Sequence, residues 1–184
     1  SKTYIADAGA NAILSVSKNG TVKTVSVLPP QPAVVSAEAA EANGLPACVA
    51  GLTYNFEPVP TDVEIGYDGK LYVTTLPGGP EDPSLGARGS VFRIDPRTGY
   101  AEMIATGFLA ATNLALDSHG HIYVTELFGG KVSSVDHHGN IETVVELPLP
   151  ASIEFAHGIL YVSYDVFGDG KVAHIHLPRH HHHH

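Results

Sequence analysis

Three carboxylates and one amide fall at matching places in three short apolar stretches of this chain: Asp62 and Glu64 in TDVEI, Asn113 in NLAL, and Glu154 in SIEF. Aligned, these stretches put Asp62, Asn113 and Ser152 at one position. Glu64, Ala115 and Glu154 follow two residues on, the same side of an extended strand. Oxygen donors gathered in this way around a common axis suit Ca2+ or Mg2+, which take hard oxygen ligands. Asp62, Glu64, Asn113 and Glu154 are therefore the metal-ligand candidates. The competing reading is that they pair with strand ends, with Arg88 or with Lys70, or face water in a channel.

A second set, Asp7, Glu126, Tyr164 and Asp165, ends or follows strands and supplies ligand-binding candidates on a rim. A polar residue at such a place also caps the following tight turn through backbone N–H groups. His119, His121, His137 and His138 sit in or beside turns and are expected in solvent, as is His157. Ser1 is read as a trimming scar rather than a terminal nucleophile, and His180–His184 as a purification tag. No G-x-S-x-G elbow is present, and the glycine-rich turns Phe128–Gly130 and Phe167–Gly170 lead into strands, so they are hairpin turns and not phosphate loops. Asp165, Asp169 and Gly170 lack the closing Glu of a twelve-residue Ca2+ loop. No catalytic residue is assigned.

The elements that must position these groups recur. A strand with apolar–Tyr–apolar character appears at Thr3–Asp7, Leu71–Thr75, Ile122–Glu126 and Leu160–Tyr164. A further strand follows each, at Ala12–Val16, Ser90–Ile94, Lys131–Val135 and Lys171–Ile175. An inner strand precedes three of them, at Thr61–Ile65, Asn113–Leu116 and Ser152–Phe155. A four-stranded unit repeating every roughly 40 to 50 residues is the signature of a β-propeller blade. Residues 59–108 and 109–148 are complete units, whereas 3–29 lacks the inner strand and 149–177 lacks the outer one. The expected fold is all-β, about three and a half four-stranded antiparallel blades, half of a six-bladed ring. Its core should include Ile5, Ile13, Val63, Ile65, Tyr72, Val91, Leu114, Leu116, Val124, Val135 and Ile153.

The runs YIADAGANAILSV (4–16), EPVPTDVEIGYDGKLYVTTLPGGPEDPSLGARGSVFRIDP (57–96) and LAATNLALDSHGHIYVTELFGG (109–130) resemble the ScyD/ScyE-type secreted β-propeller proteins of bacteria. The resemblance covers nearly the whole chain before His180. It implies a propeller, an extracellular setting, and a place in the C-terminal half of a longer protein. It implies no catalytic residues.

Two insertions interrupt the repeat, residues 30–58 and the Leu76–Arg88 loop. Within the first, Val34–Asn43 is expected to form a short helix ending near Gly44. Both lie at connections that leave a blade on the same side, so they should decorate one rim, where long loops on a rigid ring carry function.

Composition narrows the partners. A net charge of −9 in 184 residues lacks the basic footprint of a nucleic-acid binder and disfavours an anionic membrane surface. No apolar run approaches the roughly 18 residues of a membrane helix. With 19 Gly, 13 Pro and only 16% charged residues, the profile suits a turn-rich β protein. Cys48 is the single cysteine, either a small apolar residue or a bridge to another chain. Unpaired sheet edges at both ends require covering. The expected partner is a second chain completing the ring, an N-terminal half or a second copy. Two functions stand side by side: a secreted binding module that holds a small molecule, glycan or protein at its rim and channel, and a Ca2+- or Mg2+-dependent hydrolase or lyase with its site at the channel.

Overall fold

The computed structural model describes residues 2–80 and 83–177. Four antiparallel meanders follow one another along the chain. The first holds β1 (Lys2–Asp7), β2 (Ala12–Ser17) and β3 (Val22–Val27). An insertion supplies a separate hairpin, β4 (Gln31–Val34) with β5 (Thr53–Phe56), and between its strands a short helix, α1 (Ala37–Ala42). The second meander is β6 (Pro60–Ile65), β7 (Leu71–Thr75), β8 (Gly89–Ile94) and β9 (Ala101–Phe108). The third is β10 (Ala111–Leu116), β11 (Ile122–Glu126), β12 (Lys131–Val135) and β13 (Ile141–Glu146). The last is β14 (Ser152–Ala156), β15 (Ile159–Tyr164) and β16 (Lys171–His176). No helix among the described residues is long and apolar enough to cross a membrane.

The sheets stack face to face, because their middle strands carry apolar side chains on both sides. Leu71, Val73, Phe92 and Ile94 pack against Ile13 and Leu28 of the first sheet. Val91 and Phe108 meet Leu114, Ile122 and Val124 of the third. Tyr123 and Val132 meet Ile153, Leu160 and Val162 of the last. Every residue of β11 is buried as a result. Turns between strands are built on aspartates: Asp68, Asp95, Asp117 and Asp136 each accept a backbone N–H two residues on. Two turn glycines are fixed by the stacking itself. Gly99 and Gly139 hold φ of +75° and +83°, and a Cβ on either would collide with a carbonyl of the preceding sheet, Val25 or Ile104.

Of the expected core, Ile13, Val91, Leu114, Val124, Val135 and Ile153 are buried, and Val63, Tyr72 and Leu116 pack in partly. Ile5 and Ile65 are not core: they are 42% and 57% exposed. Tyr4 and Ala6 take the inward side of β1, so Ile5 faces outward with Leu14 opposite it. Ile65 ends its strand, and among the described residues no inner strand stands beside β1 to cover it. The outer face of the last sheet differs in character. It presents Glu154, Ser152 bonded to Ser163, and Tyr161 edge-on to His174, with the exposed Val172 beside them.

The expected helix is shorter than Val34–Asn43. Ser36 Oγ accepts the Ala39 N–H at 3.0 Å and starts it at Ala37, and Asn43 closes it. Val34 belongs instead to the β4–β5 hairpin, where β-branched residues are at home. His180–His184 and Ser1 lie outside the described residues.

Candidate functional site

The two insertions meet and enclose a pocket. Gln31 anchors the hairpin to the second sheet: its Nε2 donates to Ser90 Oγ at 2.8 Å, and its Oε1 accepts from Thr75 Oγ1 at 2.7 Å. Thr75 ends β7 and Ser90 lies at the start of β8, so the hairpin stands on the edge where these strands meet the loops. Val35, Ala39 and Ala40 bury against Val49 and Leu85, joining the first insertion to the second. Asn43 Nδ2 adds hydrogen bonds to the Ala39 carbonyl at 2.8 Å and to Ser84 Oγ at 3.2 Å. On the other side Arg88 lies over the Phe56 ring, 4.4 Å from its centroid, and donates through Nη2 to the Gly78 carbonyl at 3.0 Å.

The cavity between them has a volume of about 660 Å³ and is walled chiefly by Val35, Leu45, Leu52, Tyr54, Phe56 and Leu85. Leu52 and Tyr54 are 58% and 60% exposed, an unusual allocation for large apolar groups unless they serve a surface. Asn43, Thr53 and Glu57 supply the polar groups. The rim inference from insertion placement thus lands on a formed pocket. Of the residues that build it, Gln31, Tyr54 and Phe56 were not singled out in the sequence, and Arg88 was named only as a partner for the inner-strand carboxylates. A buried glutamine in a proline-rich loop and a four-residue strand 18 positions from its partner carry no local pattern.

The inner strands keep the register read from the sequence. Asp62 pairs with Thr74, Asn113 with Thr125 and Ser152 with Ser163, while Glu64, Ala115 and Glu154 oppose Tyr72, Tyr123 and Tyr161. Their oxygens, however, are used to stitch neighbouring sheets. Asp62 accepts the Leu114 N–H at 3.0 Å and the Val63 N–H at 2.8 Å. Asn113 Oδ1 accepts the Ile153 N–H at 2.7 Å. One residue earlier, Thr61 and Thr112 donate to the carbonyls of Ala111 and Ala151. Asp62 and Asn113 are therefore clips between inner strands. Among the described residues, Asp62, Glu64 and Glu154 are not a trio whose donor atoms all lie within 4.8 Å of one another.

Glu64 remains chemically distinctive. Burial pushes its carboxyl up to about 7, with the like charges of Asp62 and Glu154 adding to the effect. Burial also raises Asp62, against the pull of the Leu114 and Val63 N–H groups. Glu64 precedes the last residue of β6, so it sits further along the inner wall than the rim pocket, toward the opposite side.

The rim candidates serve turns and interiors. Asp7 Oδ1 accepts the Ala10 N–H at 3.0 Å. Glu126 is 2% exposed: Oε1 takes the Leu109 N–H at 2.8 Å, Oε2 takes the Ser133 hydroxyl, and Lys131 Nζ stands 3.7 Å away. It is an internal brace rather than a surface ligand group. Asp165, at φ +54°, has Lys171 Nζ 3.6 Å from its carboxylate, and that same ammonium stands 6.0 Å from the Tyr164 ring. Cys48 is an exposed free thiol in the turn Ala47–Val49. His119 and His121 are exposed as expected, but they gather with buried Asp117, the only group of three or more His, Cys, Asp or Glu within 4.8 Å among the described residues.

No sequence-family profile matches the chain, and no curated protein matches it in sequence. Solved structures do match in shape. A gluconolactonase from Xanthomonas campestris aligns over 96% of this chain and 59% of its own length, at 18% identity and a TM-score of 0.62. Virginiamycin B lyase from Staphylococcus aureus aligns over 97% and 53%, at 15% identity and a TM-score of 0.56. These are β-propellers, and this chain matches them in shape with its sequential antiparallel sheets of three and four strands. The chain has a β-propeller fold. An auxiliary nutrient binding protein from Bacteroides ovatus is similar as well, over 97% of this chain and 36% of its own, at 13% identity and a TM-score of 0.61. This chain spans 59% of the gluconolactonase's length and 53% of the lyase's.

Proposed function

We propose that this propeller segment binds a small, largely apolar molecule in the rim pocket between its two insertions. The observation that carries the reading is the cavity itself. Its volume of about 660 Å³ lies inside the roughly 300–1,000 Å³ range of small-molecule sites, and its walls are apolar with a few polar groups. The test uses 1-anilinonaphthalene-8-sulfonate as an apolar probe. Its fluorescence should rise on binding to the native chain and fall at least about tenfold in affinity for Leu52→Asp, a change at an exposed pocket residue. Val22→Asp, on the outer face of the first sheet, controls for binding there. An unchanged response in Leu52→Asp would remove the pocket from the proposal.

A second reading, a hydrolase or lyase acting at the inner wall, is supported by Glu64. A carboxyl held near neutrality by burial and like charges is poised to take or give a proton at pH 7. Two structural neighbours are named for such reactions, a gluconolactonase and a virginiamycin B lyase. Lactone hydrolysis that is lost in Glu64→Gln while probe binding survives would favour this reading.

The ring is completed, in the same proposal, by a chain or segment carrying the N-terminal half, in an extracellular setting. The outward Ile5 and Val22 and the greater length of the matched propellers support this. Light scattering on the 19.4 kDa chain checks it, since a monodisperse monomer with no affinity for an N-terminal half would end it.

A further inference from the structure

We propose that the turn between β10 and β11 holds a divalent transition-metal ion through Asp117, His119 and His121, at a site separate from the pocket and from Glu64. The three side chains each offer a donor atom within 4.8 Å of the others. An ion bound at about 2.0–2.2 Å to each would bring such donors roughly 3–3.5 Å apart. That closure requires the two imidazoles, whose ring centroids stand 6.0 Å apart, to turn toward the carboxylate.

The carboxylate is already fixed for this role. Asp117 Oδ1 accepts the N–H groups of His119 at 2.8 Å and His121 at 3.0 Å. Its Oδ2 lies 2.7 Å from His121 Nδ1 and 3.4 Å from the Tyr123 hydroxyl. The Asp117 side chain is only 7% exposed, while that of His121 is 43% exposed. A buried, oriented carboxylate thus stands beneath two solvent-facing imidazoles.

The turn itself does not require this combination. The second sheet makes the same hairpin, with Ile65 opposite Leu71 as Leu116 is opposite Ile122. Gly69 and Gly120 take the same left-handed conformation, at φ +71° and +84°. Yet the positions of Asp117, His119 and His121 are Gly66, Asp68 and Lys70 there, and Asp68 is spent on Arg93. Asp117 braces its turn as Asp136 braces Asp136–Asn140, where the N–H groups of His138 and Asn140 reach Oδ1 and Asn140 Nδ2 donates to Oδ2. What sets the Asp117 turn apart is an imidazole, His121, in the place of that amide, which gives the carboxylate two histidine neighbours.

Two imidazole nitrogens and one carboxylate oxygen suit Zn2+, Co2+, Ni2+ or Cu2+ rather than Ca2+ or Mg2+. Three protein donors at the surface leave a coordination position for water or an external ligand.

The experiment is calorimetric titration of Zn2+ into the folded chain with His180–His184 removed, repeated with Co2+ and read by its visible absorption. One ion per chain is expected. His119→Gln and His121→Gln should each weaken binding by at least the roughly tenfold that losing even an outer-shell partner costs. His137→Gln with His138→Gln, the other exposed histidine pair, should bind like the native chain. His119 carries no fold-defining contact, so its variant keeps the test valid should His121→Gln lose structure, as judged by far-ultraviolet circular dichroism. Absence of saturable Zn2+ binding, or affinity unchanged in His119→Gln, overturns the proposal. So does loss of binding in the His137/His138 variant instead.

Discussion

Replacing Glu64 by Gln is expected to stabilise the protein at alkaline pH and to leave it nearly unchanged in acid. In the folded chain its carboxyl is pushed up from 4.5 to about 7, a difference of about 2.5 (7 − 4.5), by burial first and then by Asp62 and Glu154. At about 1.36 kcal/mol per unit this sets a ceiling near 3.4 kcal/mol. Solvent reaching the half-buried group screens much of it, leaving about 1–2 kcal/mol. The folded state binds the proton more tightly than the unfolded one. Its stabilising contribution is therefore full below about pH 4.5 and is lost as pH rises through about 7. Glutamine mimics the protonated form at every pH. Thermal unfolding of both proteins, followed by circular dichroism from pH 5 to 8.5, isolates the effect, because the other titrating groups cancel in the difference. The variant should gain roughly 2–8 °C over the native chain by pH 8, at about 2–4 °C per kcal/mol for a chain of this size. A constant offset across this range, or a variant that loses ground as pH rises, would refute the reasoning. Glu154→Gln should shift the native transition to lower pH by removing one of the like charges.

Substitutions at Glu126, Asn113, Gly99 and Gly139 test the frame around the site. Glu126→Ala strands the Leu109 N–H and the Ser133 hydroxyl in the interior, and urea unfolding should show a loss of about 2–4 kcal/mol. Asn113→Ala removes the acceptor for the Ile153 N–H between inner strands. A cost of about 1–2 kcal/mol is expected, with faster amide exchange at Ile153 as the local readout. Gly99→Ala and Gly139→Ala combine an unfavourable φ with collision against the Val25 and Ile104 carbonyls, so each should cost at least about 1–2 kcal/mol in chemical denaturation. Gly20→Ala, also at positive φ but open to solvent, should cost less.

The repeat was legible because it is a local property. Alternating apolar residues around Tyr72, Tyr123 and Tyr161, divided by Asp and Gly turns, specify strands and hairpins wherever they occur, and two covered faces explain why β11 reads as continuously apolar. The register of Asp62, Asn113 and Ser152 followed from the same periodicity, as did the placing of both insertions on one rim. What the side chains at those positions do was settled only by stacking. Asp62 and Asn113 look like oxygen ligands in a strand, but the N–H groups of Leu114 and Ile153 arrive from the next sheet and claim them. Glu126 looks like a rim residue until Leu109 and Ser133 close over it. The pocket needed two segments separated by a whole strand pair to meet through Val35, Ala39 and Leu85. Likewise Asp117, His119 and His121 are merely turn residues until the hairpin folds their donors together. Periodicity along a chain dictates which way a side chain points, whereas which partner waits there depends on the three-dimensional packing of residues some 40 to 50 positions away.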